Sequence, residues 1–251
     1  MKQIVPSMNG HNMILNLTDR PFYTIQGEGY GLGRPSIFIR FSGCNLRCRW
    51  FRNNVESICD TPYSSFKPER HRETLADIVD FIEKHSKSHQ IVITGGEPLL
   101  YPDQVKAIFE VMPKHMEMTI ETNGWLLENL DLDDERLTLS VSPKLTTTDS
   151  TMASRLKLAG IIKRSFSQKL KSRHILKFVM NDMTPEIITE MFQEFVESVG
   201  LPSSNIYLMS EGVSAEAIDE KQLIIVEMAM AAGWHYTDRL HLRIWKGKRN
   251  T

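Results

Sequence analysis

The chain has little cysteine. Three residues in 251 are cysteine, and all three lie between positions 44 and 59. An odd number crowded into one stretch excludes the paired-disulfide framework of small secreted proteins. It points instead to metal or redox chemistry in a reducing compartment. A fourth cysteine, which a structural zinc site or an electron-transfer cluster would normally use, is missing. Excess charge is missing too: 30 Lys and Arg stand against 31 Asp and Glu, so no general pull toward nucleic acid or a membrane surface is implied. No apolar run approaches the length of a membrane span, and the start, MKQIVPSMNGHNM, lacks the apolar core of a signal peptide. The expected location is the cytoplasm. There is no linker rich in Pro, Gly or Ser, no internal repeat and no low-complexity segment. The expectation is one domain over residues 1–251, with residues 1–20 as an N-terminal extension.

What is present begins with Ser42 to Tyr63, SGCNLRCRWFRNNVESICDTPY, which holds Cys44, Cys48 and Cys59. Three thiolates close together can hold an iron–sulfur cluster by three of its four irons, leaving the fourth open to another ligand. Around this loop the chain alternates between strand and helix patterns. Ser36–Ser42 alternates as a strand, with Ile37, Ile39 and Phe41 on one side and Phe38 and Arg40 on the other. An amphipathic helix is expected over 73–88, a buried strand over 90–94, a helix over 102–112, and strands over 116–121 and 136–142. A basic helix over 155–170 follows, then a strand over 174–180, a helix over 185–199, a strand over 206–210 and a helix over 215–232 closed by Gly233. The tail from Trp234 to Trp245 is expected to be extended. Such alternation argues for a parallel α/β sheet or barrel. Small and polar residues collect where strands end: Thr94-Gly95-Gly96-Glu97, Thr122-Asn123, Ser142-Pro143-Lys144 and Ser210-Glu211. Ligands of parallel α/β folds bind at those carboxyl ends.

Several of these features also have ordinary readings. Gly29, Gly31 and Gly33 look like a phosphate loop, but no P-loop lysine follows, and a flexible turn is favoured. Arg40 is either an edge-strand arginine reaching solvent or a fork aimed at a ligand carboxylate. Ser142-Pro143 and Thr61-Pro62 are turn formers in isolation, Lys144 a solvated turn lysine, and His241 a satisfied surface or core histidine. The basic run from Arg155 to Arg173 carries only Phe166 as an interleaved aromatic, so a solvated helix face is favoured over an RNA-binding one.

Taken together, Cys44-x3-Cys48 after a strand and a later strand ending in Gly-Gly-Glu-Pro resemble the radical S-adenosylmethionine (SAM) superfamily. Within it, Thr24-Ile25-Gln26-Gly27-Glu28-Gly29, Arg40, Gly43-Cys44-Asn45-Leu46, Cys59-Asp60-Thr61, Thr94-Gly95-Gly96-Glu97-Pro98, Glu121-Thr122-Asn123-Gly124, Ser142-Pro143-Lys144 and His241 resemble the 7-carboxy-7-deazaguanine synthase family. The likeness runs from residue 22 to about 245. One departure is plain. The superfamily spacing is C-x3-C-x2-C, whereas here ten residues separate the second and third cysteines, C-x3-C-x10-C, with Phe51 at the expected place. The simplest reading is a cluster loop of 44–61 carrying an insertion, 51–58. Closing a few more loop residues costs well under about 1 kcal/mol.

The resemblance implies a partial, modified (βα)6 TIM-like barrel. It implies that Cys44, Cys48 and Cys59 hold a 4Fe-4S cluster and that SAM chelates the open iron. SAM would then be cleaved reductively, and the resulting radical would take a hydrogen from 6-carboxy-5,6,7,8-tetrahydropterin. Ring contraction with loss of ammonia would give 7-carboxy-7-deazaguanine, on the way to queuosine or another 7-deazapurine. The implied SAM contacts are Ile58, Asp60, Gly95, Gly96, Glu97, Asn123, Ser142, Pro143, Lys144, Met209, Ser210 and Glu211. The glycine pair would let the backbone approach the SAM amino group, and Lys144 would face its carboxylate. The implied substrate contacts are Gln26, Gly27, Glu28, Arg40, Thr94 and His241, with Glu28 accepting from the guanidine-like edge of the pterin and Arg40 meeting its carboxylate. Thr61 would ligate Mg2+. The resemblance further implies a flavodoxin-like external one-electron donor and a homodimer, with neither nucleic acid nor membrane as partner. A second radical SAM reading, a glycyl-radical activase acting on a protein, would not need Gln26, Glu28 and Arg40. A reading from another class, a non-catalytic zinc or RNA-binding module, predicts colourless protein.

Overall fold

The computed structural model describes residues 12–52, 55–180 and 185–251. Residues 1–11 of the expected N-terminal extension and 53–54 of the expected insertion lie outside the described residues. Among those described, ten strands form one sheet in the order β12-β11-β10-β9-β8-β7-β3-β1-β6, with β2 paired to β3. Seven run parallel: β3 (Pro35–Phe41), β7 (Gln90–Gly95), β8 (Glu117–Thr122), β9 (Leu137–Val141), β10 (Arg173–Met180), β11 (Ile206–Ser210) and β12 (His235–Thr237). The N-terminal strands β1 (Ile14–Leu17) and β2 (Phe22–Ile25) pair antiparallel to β3, and β6 (His71–Thr74) pairs antiparallel to β1.

One face of the parallel strands is apolar because helices cover it. Ile37, Ile39 and Phe41 point into a core completed by helices, as do Ile91 and Ile93 of β7, all fully buried. The opposite side of β3 carries Phe38 and Arg40, which line a central cavity. The alternation in the sequence therefore separates a helix-covered face from a lumen face. Helices follow most strands: α1 (Leu75–Lys84), α2 (Pro102–Val111), α3 (Met152–Gln168), α4 (Pro185–Val199), α5 (Ala215–Ala232) and α6 (Leu240–Trp245). After β8 stands only a short 3-10 turn, Leu127–Asn129. This is the partial TIM-like barrel expected from the sequence, left open between β12 and the N-terminal edge.

Two elements differ from expectation. The helix expected over 73–88 begins at Leu75, because Thr74 and Asp77 form a reciprocal capping box and the residues before it extend β1's edge as β6. The tail is not extended throughout: after the three residues of β12 it turns into α6. The expected insertion contains a hairpin, β4 (Arg49–Arg52) paired with β5 (Val55–Ile58), which projects from the cysteine loop as a separate two-stranded sheet. No helix among the described residues is long and apolar enough to cross a membrane.

Candidate active site

The carboxyl ends of the parallel strands meet at one cavity of about 370 Å3. Cys44, Cys48 and Cys59 line it together, and all three thiols are free. The hairpin leaves the loop closed at its base, where the Cys59 amide donates to the Cys48 carbonyl at 3.2 Å. The ten-residue spacing therefore brings the third sulfur back to the first two. Burial pushes the Cys48 thiol up to about 11, reinforced by the neighbouring Cys59 and Cys44. Burial raises Cys44 as well. Three soft sulfur donors with an unmet need for positive charge suit an iron–sulfur group. Three thiols on one cavity wall fit a cluster that leaves one iron open to another ligand.

The Gly95-Gly96 corner packs directly beneath this loop. A Cβ on Gly95 would lie 2.2 Å from the Phe41 carbonyl oxygen, and one on Gly96 would lie 2.1 Å from that of Gly43. Gly95 also has φ +140°. These glycines are required because two backbones cross there; the space denied to a side chain is filled by protein. Gly96 and Glu97 amides donate to the carbonyls of Phe41 and Gly43 at 3.1 and 2.8 Å, stitching β7 to the start of the cysteine loop.

Glu97, expected in the SAM set, is placed in the seam between β7 and β8. Its side chain is fully buried and turned away from the cavity, accepting from Thr122 Oγ1 at 2.8 Å, the Asn123 amide at 2.8 Å and the Leu99 amide at 3.0 Å. Burial raises its pKa despite these bonds. It ties the ends of β7 and β8 together. Asn123 is thereby held with its side-chain amide donating to Asn45 Oδ1 at 2.8 Å beside Cys44. Ile58, Pro143, Ser210 and Glu211 are also absent from the cavity lining. Ile58 is on the exposed hairpin, Pro143 and Ser210 are buried in the wall, and Glu211 is paired with Lys221 at 2.9 Å. Asp60, Thr61, Gly95, Gly96, Asn123, Ser142, Lys144 and Met209 do line it. Lys144 Nζ donates to Ser142 Oγ at 3.1 Å on the cysteine side.

The other wall gathers Gln26, Gly27, Glu28, Arg40, Thr94 and His241, the residues of the expected substrate set, and adds Glu121, Lys177 and Arg239. Glu28 is not a free acceptor. Lys177 Nζ reaches one of its oxygens at 2.6 Å and Arg239 Nε the other at 2.9 Å. Burial alone would raise the Glu28 pKa, but these two cations overcome it and hold the carboxyl far below the usual range. Its expected pairing with the pterin edge must therefore share the carboxylate with two resident partners. Gln26 donates to Glu121 at 3.3 Å and accepts from the Glu28 amide at 3.2 Å. Arg40 lies 3.4 Å from Asp19 and between the rings of Phe22 and Tyr63, at 6.0 and 5.9 Å. His241, on α6, presses on Gly27: a Cβ at Gly27 would sit 2.2 Å from its Nδ1. Burial lowers the His241 pKa, so it is neutral at neutral pH.

Lys177 left a trace in the sequence, as a lysine between Leu176 and Phe178 in the apolar run 175–180. Arg239 left none, since its partners come from positions 28, 60 and 212.

The radical SAM superfamily model matches residues 38–221. The chain is 36% identical to the 7-carboxy-7-deazaguanine synthase of Rhodopirellula baltica, over 94% of this chain and 88% of that protein. It is 31% identical to the one from Halobacterium salinarum, over 92% and 90%. In structure it is similar to QueE from Escherichia coli, with a TM-score of 0.62 covering 95% of this chain and all of that one, at 19% identity.

Proposed function

The chain belongs to the radical SAM superfamily and to its 7-carboxy-7-deazaguanine synthase family, and from that premise we propose how its cavity carries out the family's ring contraction. The enzyme converts 6-carboxy-5,6,7,8-tetrahydropterin to 7-carboxy-7-deazaguanine with loss of ammonia. The observation that carries this reading is that three free cysteines and a wall of buried, mutually paired polar groups face one another across one cavity.

Cys44, Cys48 and Cys59 would hold the 4Fe-4S cluster. When bound there, cluster and SAM supply the one-electron chemistry that generates a primary radical. Lys144 and Ser142, on the cysteine side, would bind the SAM carboxylate. Arg40, with its guanidinium 6.0 and 5.9 Å from the Phe22 and Tyr63 ring centres, would meet the substrate carboxylate. Glu28 and Gln26 would read the amino and amide edge of the pterin with atoms already aligned by Lys177, Arg239 and Glu121. Neutral His241 would contribute a hydrogen bond without adding charge. A Mg2+ at Thr61 is part of the proposal. The Thr61 hydroxyl lies 3.4 Å from the Cys59 sulfur, and the remaining oxygen ligands would have to come from substrate and water. The proposal also includes a flavodoxin-like external electron donor, a cytoplasmic setting suited to free thiols, and a homodimer. Exposed Leu223, Ile224 and Met230 on α5 support the last.

The activase reading is not favoured, because the substrate wall is a compact set of polar groups suited to a small heterocycle. Anaerobic reconstitution followed by SAM, reductant and carboxytetrahydropterin tests the reading. It expects the deazaguanine product and 5'-deoxyadenosine together. An intact cluster that cleaves SAM yet forms no deazaguanine overturns it.

A further inference from the structure

Arg239 stands just before α6, outside every motif of the sequence, and is buried to 11% exposure. Its guanidinium touches three segments that are far apart in the chain. Nε donates to Glu28 Oε1 at 2.9 Å, Nη2 donates to Asp60 Oδ2 at 2.9 Å, and Nη1 donates to the Gly212 carbonyl. Asp60 follows Cys59 directly, and its other oxygen faces the Cys59 sulfur at 3.8 Å. Glu28 is the central carboxylate of the substrate wall. One planar group with a fixed fork of donors therefore spans from the last cysteine of the cluster loop to the substrate side of the cavity.

We propose that Arg239 is a positioning residue that couples the two walls, fixing the Cys59–Asp60 end of the cluster loop in register with Glu28. The inference rests on the proposed function for what fills the cavity. The physical need comes from the hairpin. A third cysteine that follows a projecting two-stranded excursion is tied at its base by the Cys59 to Cys48 backbone bond, and the Asp60 side chain is otherwise 40% exposed. Arg239 gives this end of the loop a second anchor, and the anchor is on the substrate's own contact. A lysine has the charge but not the span: its compact ammonium lacks the planar fork that reaches Glu28, Asp60 and Gly212 together. Radical transfer between two bound molecules depends on their separation, and a misplacement of about 1 Å can cost on the order of a hundredfold in rate.

The test compares wild type with Arg239→Lys and Arg239→Gln, reconstituted anaerobically. Three quantities are read: iron and sulfide per chain, pterin affinity by equilibrium titration without reductant, and product formed per SAM cleaved. Arg239→Lys is expected to load its cluster and cleave SAM, while product per SAM cleaved falls by about tenfold or more. A loss of iron and thermal stability with an unchanged product-to-cleavage ratio overturns the proposal, because that is what a purely structural arginine would do. Adding Asp60→Asn to Arg239→Lys should lower the ratio no further than the worse single variant, and additive losses overturn it. Hydrogen exchange on the reconstituted protein without pterin reads the tether independently of turnover. Faster exchange over residues 56–61 and around Glu28 in Arg239→Gln supports the coupling, and unchanged protection overturns it even if the proposed reaction itself proves wrong.

Discussion

The two walls of the cavity are built on opposite principles. On the cysteine wall the thiols have no strong partners, and burial holds the Cys48 proton on up to about pH 11. On the substrate wall nearly every charge already has its opposite: Glu28 with Lys177 and Arg239, Arg239 with Asp60, and Lys177 with Glu121 at 3.7 Å. Under the proposed function, the contrast follows from what each wall would receive. A metal cluster brings its own positive charge, so its ligands can wait unsatisfied. A small polar heterocycle must be oriented within a field that exists before it arrives, because reorganising buried charges on binding would consume the binding energy.

The largest test of the contrast is to remove a waiting group. Cys59→Ala should abolish the cluster, and product formation should fall to background. Iron and sulfide analysis decides it, and a fully loaded 4Fe-4S cluster in that variant would show that the hairpin does not return residue 59 to the tripod. Fold stability should change little, since this thiol is bonded only to the neighbouring Asp60 and Thr61 side chains.

On the charged wall the order of effects should reverse. Lys177→Met keeps most of the volume but strips a 6%-exposed cation from between Glu28 and Glu121. Breaking a buried ion pair from one side costs about 3–5 kcal/mol. Chemical denaturation of the cofactor-free protein should show a loss of that order, while cysteine loading survives in the folded fraction. A loss below about 1 kcal/mol, the scale of surface pairs, would mean the wall is more hydrated than its burial indicates.

Glu97 sharpens the comparison from the seam between the walls. Its carboxylate accepts three hydrogen bonds from the ends of β7 and β8. Glu97→Gln turns one acceptor into a donor facing donors, with an expected cost of about 1–3 kcal/mol in stability. SAM affinity, measured by equilibrium titration of the reconstituted protein, should change far less. A SAM affinity that collapses at unchanged stability would return Glu97 to the cofactor site.

The same contrast explains what could be read from the sequence. The cysteine wall was legible because its residue types are rare and adjacent: Cys44, Cys48, Cys59 and the Gly95-Gly96 pair stand out in any order of reading. The alternating strands and helices were legible from periodicity, as was the lumen placement of Phe38 and Arg40. The direction of the Glu97 side chain was not legible, because membership of a motif does not give it; after Gly95 it points into the seam between β7 and β8. The helix carrying His241 is six residues long, too short for a 3.6-residue period to show. Arg239 was invisible because its meaning lies in three contacts, each more than twenty-five residues away along the chain.

His241 gives the smallest and most specific effect, because it is the one neutral titratable base among the charges of the substrate wall. Burial lowers its folded pKa below the ordinary 6.5, outweighing Glu28 and Glu121, which face the ring and favour its protonation, while Arg239 and Lys177 oppose protonation as well. The folded state therefore binds fewer protons than the unfolded state as pH falls through that value. The stability contribution is full above the unfolded pKa and declines as pH falls from about 6.5 toward the folded pKa, with a slope no greater than about 1.4 kcal/mol per pH unit. His241→Gln should flatten this decline, seen as a smaller drop in denaturation midpoint between about pH 7 and pH 5.5. Pterin affinity of the wild type should stay level from about pH 8 to 7, because burial keeps the His241 pKa below its ordinary value. If the imidazole instead titrates at or above its ordinary value, with affinity changing in step, then Glu28 is less fully neutralised by Lys177 and Arg239 than their distances imply. The substrate wall would then resemble the cysteine wall more closely, with a charge still waiting for its ligand.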